Sequence, residues 1–275
     1  MSNAIFPVIT EHDKSLPFYL IGIGCRWHQE PIMRPRGYPN FQWIQCYQGE
    51  GELILEGQRY RVKAQQGMLL YPEIPHEYYA VKEPWEVDWI DFSGYQIEHL
   101  LKMIGLYKSE VLMIANSEML LSKMRKAVGI LKSDSLLKGP DCSIIIYEIL
   151  MDLLKFASRS SDESIQEQHQ RLRPVFEYIT QHYPRVITLE DLAGIIHVTP
   201  EHFCLLFKKT MKMRPFEYLN NVRINKSKDM IVKDSNMRIG EIAAAVGYDN
   251  TSYFCSMFKK MEGMSPGKFR KLHGI

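Results

Sequence analysis

Residues 189–218, LEDLAGIIHVTPEHFCLLFKKTMKMRPFEY, and residues 239–269, IGEIAAAVGYDNTSYFCSMFKKMEGMSPGKF, are two versions of one text. Phe203, Cys204, Phe207, Lys208 and Lys209 recur as Phe254, Cys255, Phe258, Lys259 and Lys260 at an offset of 51, as do Met213, Pro215 and Tyr218 in Met264, Pro266 and Phe269. Leu192-Ala193 recurs as Ile242-Ala243 at an offset of 50, so the second copy carries one additional residue near Asp249-Asn250. A stacked repeat needs three or more units to bury a core. Two copies imply a duplicated small module.

Each copy is expected to form a short helix, a tight turn and a second helix. Thr188 can cap the first helix of the first copy with Asp191 three residues on, and the apolar run Leu192, Ala193, Ile195 and Ile196 follows. After a turn at His197-Val198, Thr199-Pro200 supplies an N-cap and a proline at the first helical position, where its missing N–H costs nothing. Helical spacing then puts Phe203, Leu206, Phe207 and Thr210 on one side and Glu201, Cys204, Leu205 and Lys208 on the other. In the second copy Phe254, Met257, Phe258 and Met261 face in, and Ser252, Cys255, Ser256 and Lys259 face out. This is the arrangement in which a second helix enters the major groove of DNA. Candidate DNA contacts are Glu201, His202, Cys204, Leu205 and Lys208 from the first module and Thr251, Ser252, Cys255, Ser256 and Lys259 from the second.

Glu241-Ile242-Ala243, Val246-Gly247-Tyr248, Ser252-Tyr253-Phe254, Phe258-Lys259-Lys260, Gly263, Ser265-Pro266 and Phe269-Arg270 together resemble the signature of AraC/XylS-type bacterial transcription regulators. The likeness covers the last hundred or so residues. It implies an α+β chain of two domains: an N-terminal cupin-like β-barrel sensor with trailing helices, and a C-terminal all-α domain with two helix-turn-helix modules. Relatives often carry arginine where Leu205 and Ser256 stand, so the base code of this chain is its own.

Composition agrees with a globular chain of 275 residues, 45% hydrophobic and 24% charged, long enough for about two domains. The net charge of +2 hides an asymmetry. Residues 171–275 hold 17 Lys+Arg against 10 Asp+Glu, net +7, which leaves net −5 for residues 1–170. A basic third beside an acidic remainder points to nucleic acid for that third. Five cysteines without metal spacing and no signal-like opening point to the cytoplasm rather than to a secreted disulfide protein. The apolar run 142–157 is interrupted by Glu148, Asp152 and Lys155 and reads as a packed helix rather than a membrane span.

Residues 1–17 read as an arm, and 1–94 as the sensor. Short runs rich in Tyr, Trp, Ile, Val and Phe predict strands at 19–24, 41–48, 51–55, 58–63, 68–71, 78–81 and 85–92, with Glu56-Gly57 as a tight hairpin turn. Residues 95–157 are expected to form a helical dimerisation segment with helices at 100–106, 119–131 and 144–157, and Gly139-Pro140 a loop before the last. The stripe Leu121, Met124, Val128 and Leu131 serves either intramolecular core or the dimer contact that the family resemblance implies. Polar residues 158–170 are expected to be a linker, and 171–275 the DNA-binding domain, with Leu172, Phe176, Ile179 and Tyr183 as the buried side of its first helix. A helix over 215–232, about 27 Å at ~1.5 Å per residue, would join the modules.

Arg34-Pro35-Arg36-Gly37, Gly49-Glu50-Gly51, Gly67 to Pro72, Pro75-His76 and Trp85 to Trp89 resemble the sensor barrel of the same family. Arg34, Tyr78 and Trp89 match positions that hold the sugar in its arabinose-responsive member, and His76 joins them as a fourth ligand candidate. The alternative for these residues is a barrel salt bridge and aromatic core. Val87 departs from that member, which has a histidine there.

No catalytic residue, cofactor or metal is expected: metal-dependent cupins need two histidines one residue apart, and His28 and Glu30 lack the second. The expected partners are promoter DNA, a sugar or sugar-acid effector, a second copy of the chain and, for an activator, RNA polymerase, with no membrane. Two other readings stay open, a cupin-fold enzyme fused to a DNA-binding tail and a regulator whose barrel binds no ligand.

Overall fold

The computed structural model of the chain describes residues 3–159, 164–234 and 236–273. The chain divides into two compact units, Met1–Gln166 and Glu167–Ile275.

The first unit is a nine-stranded antiparallel sheet with helices. In order its elements are β1 (Asn3–Ile5), α1 (Glu11–Lys14), β2 (Tyr19–His28), β3 (Ile32–Arg34), β4 (Phe41–Leu55), β5 (Gln58–Lys63), β6 (Gln66–Leu70), β7 (His76–Ser93), α2 (Ile97–Met103), β8 (Glu110–Ile114), α3 (Ser117–Lys132), α4 (Lys138–Phe156) and β9 (Ala157–Ser158). The sheet runs β1-β2-β7-β4-β6-β8-β9, with β3 beside β7 and β5 beside β4. Two expected breaks turn out to be bends within long strands. β4 and β7 stay paired from Phe41↔Phe92 to Leu55↔His76 through register shifts between Cys46 and Gly51. There Gly49 takes φ 82°, and a Cβ on it would lie 2.2 Å from the Pro84 carbonyl oxygen, so only glycine fits under the opposite strand. Glu56 and Gly57 both have positive φ, the turn their dipeptide predicts.

Alternation along the strands feeds two cores. Trp43, Leu69, Ile90 and Phe92 meet α2, α3 and α4 in one. Ile44, Leu53, Met68, Leu70, Tyr78, Trp85 and Val87 form the other. The stripe on α3 belongs to the first core: Leu121 and Met124 are buried, and Val128 and Leu131 pack against it. Those side chains therefore contribute to the intramolecular core, the first of the two roles expected of the stripe. The segment 95–157 is not purely helical either, because β8 pairs with β6 from Gln66↔Met113 to Leu69↔Glu110. Gly139-Pro140 lies inside the first turn of α4, where the unpaired N–H positions tolerate proline, rather than in a loop. The N-terminal arm contains β1, in register with β2 from Asn3↔Cys25.

The second unit is helical: α5 (Ile165–His182), α6 (Leu189–Ile195), α7 (Pro200–Met211), α8 (Pro215–Lys233), α9 (Ile239–Ala245), α10 (Thr251–Glu262) and α11 (Pro266–Leu272). The expected linker over 158–170 is shortened at both ends. Ala157–Ser158 is a strand and α5 begins at Ile165, while residues 160–163 lie outside the described residues. Each module has its own core. Leu172, Val175, Ile179, Leu192, Phe203, Phe207 and Leu219 form the first. Ile224, Ile231, Ile242, Phe254 and Phe258 form the second.

Candidate nucleic-acid interface and effector cavity

Local chemistry fixes both outward helices. Thr188 and Asp191 close a capping box on α6, with Asp191 N–H donating to Thr188 Oγ1 at 3.1 Å and Thr188 N–H to Asp191 Oδ2 at 2.9 Å. α7 starts from Thr199, whose Oγ1 accepts the His202 N–H at 3.3 Å, with Pro200 behind it. α10 starts from Asn250, whose Oδ1 accepts the Tyr253 N–H at 2.9 Å. The additional residue falls in the turn before that cap, since α9 ends at Ala245 and α10 begins at Thr251 where α6 ends at Ile195 and α7 begins at Pro200. Both helices stop at a left-handed residue, Lys212 in the first and Gly263 in the second.

The inward and outward faces fall as the spacing predicts. Phe203, Leu206 and Phe207 are buried on α7, and Phe254 and Phe258 on α10. Glu201, His202, Leu205 and Lys208 are exposed on α7, and Thr251, Ser252, Ser256 and Lys259 on α10. Leu205 is 70% exposed, on the same outward face as the exposed Glu201, His202 and Lys208. Hydrogen bonds from its own backbone and from Thr199 hold the Glu201 carboxyl below its ordinary range, so it presents a charged acceptor. The two cysteines do not match their expected role equally. Both are half-buried, and Cys255 packs against the second module's core rather than projecting freely. Tyr253, not among the expected contacts, is 55% exposed in the first turn of α10 between Ser252 and the buried Phe254. Its place one residue after two hydroxyl side chains was the available signal.

In the first unit a cavity of about 310 Å³ opens among β2, β3, β4 and β7. Strand register assembles it. Gln42 lies opposite Asp91, Ile44 opposite Trp89, and Ile32 opposite Tyr78, so their side chains share a face. Along one wall runs a polar rail. Arg34 Nη1 donates to Gln42 Oε1. Gln42 Nε2 in turn donates to Asp91 Oδ1 at 2.7 Å. The Arg34 guanidinium stacks 4.4 Å from the Tyr38 ring centre. Burial pushes the Asp91 carboxyl above its ordinary range, opposed by hydrogen bonds from Gln42 and Tyr38. The other wall is aromatic: Trp27 meets Trp89 edge-on at 6.2 Å, and Phe6 lies 5.7 Å from Trp89. Gly24 makes room for that wall, since a Cβ there would come within 2.4 Å of Trp89 Nε1.

Of the four expected ligand residues, Arg34, Tyr78 and Trp89 line this cavity. His76 does not. It stands behind Arg34, with Nε2 3.4 Å from Nη1 and Nδ1 2.8 Å from the Ile74 carbonyl, and burial lowers its pKa. Gln42, Asp91, Tyr38, Gln29 and Trp27 are lining residues that the sequence did not reveal.

A sheet unit with an open polar and aromatic cavity, joined in one chain to a duplicated helix-turn-helix unit, defines a ligand-responsive DNA-binding regulator of transcription. Residues 22–154 match the family of AraC-like ligand binding domains, and residues 192–272 match a helix-turn-helix domain family. The chain belongs to the AraC family of transcription regulators. It is similar to the lactose operon transcription activator of Staphylococcus xylosus, 25% identical over 230 residues that span 81% of each chain. The raffinose operon transcriptional regulatory protein RafR of Pediococcus pentosaceus is 26% identical over 197 residues, 70% of each chain. The bifunctional transcriptional activator/DNA repair enzyme AdaA of Bacillus subtilis is 38% identical over 98 residues, 36% of this chain and 46% of that protein.

Proposed function

We propose that this chain activates transcription of a carbohydrate operon when a neutral saccharide enters the cavity of its first unit. The observation that carries the reading is the Arg34–Gln42–Asp91 rail facing Trp89 across a cavity of about 310 Å³. Guanidinium, amide and carboxylate alternate donors and acceptors, which suits vicinal hydroxyls, while an indole face suits the C–H side of a sugar ring. The buried Asp91 disfavours an anionic ligand, so a neutral sugar is preferred over the sugar acid that an arginine alone suggests. The operon relatives of Staphylococcus xylosus and Pediococcus pentosaceus, named for lactose and raffinose, support the same class.

In this reading α7 and α10 approach base edges through Glu201, His202, Cys204, Leu205, Thr251, Ser252 and Ser256, with Cys255 supporting from beneath. Lys208 and Lys259, with Lys209 and Lys260, contact phosphates. The chain acts without catalysing a reaction, in the cytoplasm, as a homodimer that recruits RNA polymerase. Support for self-association comes from apolar side chains left outside the core on and beside α4: Leu137, Ile144 and Tyr147 are 64%, 57% and 46% exposed. Among the described residues no helix is long and apolar enough to cross a membrane.

The test is a thermal-shift and calorimetric screen of neutral mono- and oligosaccharides, uronic acids and aromatic acids. A neutral saccharide should stabilise the chain, and Arg34→Ala should weaken it by about 2 kcal/mol, roughly thirtyfold, with DNA binding without sugar unchanged. Tighter binding of the uronic acid than of its parent sugar, or equal binding by Arg34→Ala, would refute the assignment.

A further inference from the structure

One side chain stands at the centre of the contact between the two helix-turn-helix modules. Arg223 sits where α8 changes partners: Leu219 and Val222 before it pack in the first module's core, and Ile224 after it packs in the second's. Its guanidinium Nε donates to the Tyr183 carbonyl at 2.8 Å and Nη2 donates to the Arg185 carbonyl at 2.9 Å. Both carbonyls belong to the loop after α5. The flat face of the same guanidinium lies 5.4 Å from the ring centre of Tyr248, in the turn between α9 and α10. Tyr248 in turn donates its hydroxyl proton to Asn220 Oδ1 at 2.9 Å, one turn back along α8.

The backbones also touch at this point. Gly247 takes φ 90°, and a Cβ on it would lie 2.7 Å from the Pro184 carbonyl oxygen and 2.9 Å from that of Tyr183. The turn of the second module therefore rests on the loop of the first, and the Tyr183 side chain packs against both cores. A planar fork with two edges and a face is what this junction uses, and lysine has no equivalent.

We propose that Arg223 is a positioning residue that fixes α7 and α10 relative to one another and so sets the number of base pairs between the two stretches of DNA that one chain reads. The inference rests on both modules reading DNA. One base pair inserted between the two stretches shifts the second by about 3.4 Å and turns it by about 35°. A clasped pair of helices cannot follow that displacement, whereas a pair joined by α8 alone has the freedom to adjust.

The experiment uses the full chain and duplexes recovered by it from a random-sequence pool. Footprinting on a half-site, which one chain occupies, locates its two protected patches, and one or two base pairs are then inserted or deleted between them. Wild type should lose about tenfold or more in affinity for a one-base-pair change, and Arg223→Met and Arg223→Lys should discriminate less than about threefold. Circular dichroism and thermal unfolding establish that the variants are folded. Tyr248→Phe, which keeps the ring and loses the bond to Asn220, gives the same readout with a milder change and should broaden the profile too. An unchanged spacing profile in the variants, or an equal loss at every spacing, overturns the role of Arg223. Two patches bound by wild type without regard to spacing overturn the clasp, while a single protected patch overturns two-module reading itself.

Discussion

Replacing Leu205 by alanine tests how this chain reads bases without a guanine-directed arginine on α7. Leu205 projects from the outward face with Glu201 one turn before it and Lys208 one turn after. Full burial of a leucine side chain is worth about 1.5–3 kcal/mol, so the 70% left exposed caps its possible gain on binding at about 1–2 kcal/mol. A thymine methyl covers one side only, which brings the expectation to about 1 kcal/mol, or roughly fivefold in affinity at one position of the site. Because the side chain contributes little to the core, the thermal midpoint of Leu205→Ala should stay near that of wild type. The assay is anisotropy titration of a labelled duplex in which each thymine is replaced in turn by uracil, a change that deletes only the methyl. One uracil should weaken wild type about fivefold and leave Leu205→Ala unaffected, while Lys259→Ala should weaken every sequence alike. No uracil-sensitive position, or a uniform loss across all duplexes for Leu205→Ala, would show that Leu205 does not touch a base.

Thr188→Ala removes the acceptor for the Asp191 N–H and opens the box that starts α6. It should cost about 1 kcal/mol and lower the unfolding midpoint of the DNA-binding unit by about 4–8 °C, and an unchanged midpoint would mean that the box is idle. Burial raises the Asp91 carboxyl above 3.8, so in the pH window between that value and the raised one the folded chain holds a proton that the unfolded chain releases. The stability contribution of that proton is complete below about pH 4 and is lost as pH rises through the raised value. Urea unfolding between pH 4 and 7 should therefore show Asp91→Asn gaining on wild type as pH rises, and parallel pH profiles would place the carboxyl in contact with water.

The helix-turn-helix modules were legible because their signals are local. Thr188 and Thr199 cap helices through backbone N–H groups three residues away, and the apolar spacing of Phe203, Leu206 and Phe207 needs only the helical period, whereas the caps Asn250 and Ser265 came from the structure. The cavity was legible in part. Arg34, Tyr78 and Trp89 were found by resemblance, but Gln42 and Asp91 were not, since they are 49 residues apart and become neighbours only through the register of β4 with β7. A buried carboxylate has no mark in the sequence to separate it from a solvated one.

The same distinction divides the rest of the chain. By itself the sequence determined the duplication, the caps of α6 and α7, the faces of α7 and α10 and the alternation of the strands, all of which depend on side chains a few residues apart. Tertiary structure decided that the α3 stripe faces the sheet and that breaks near Gly49 and Pro84 are bends. It decided that 165–170 is helix, with Gln168 buried and accepting from Thr210. It also decided that Arg223 joins two modules. In each case the energy comes from desolvating or pairing groups far apart in the chain, so which partner a residue meets is set by packing and register rather than by its own neighbours.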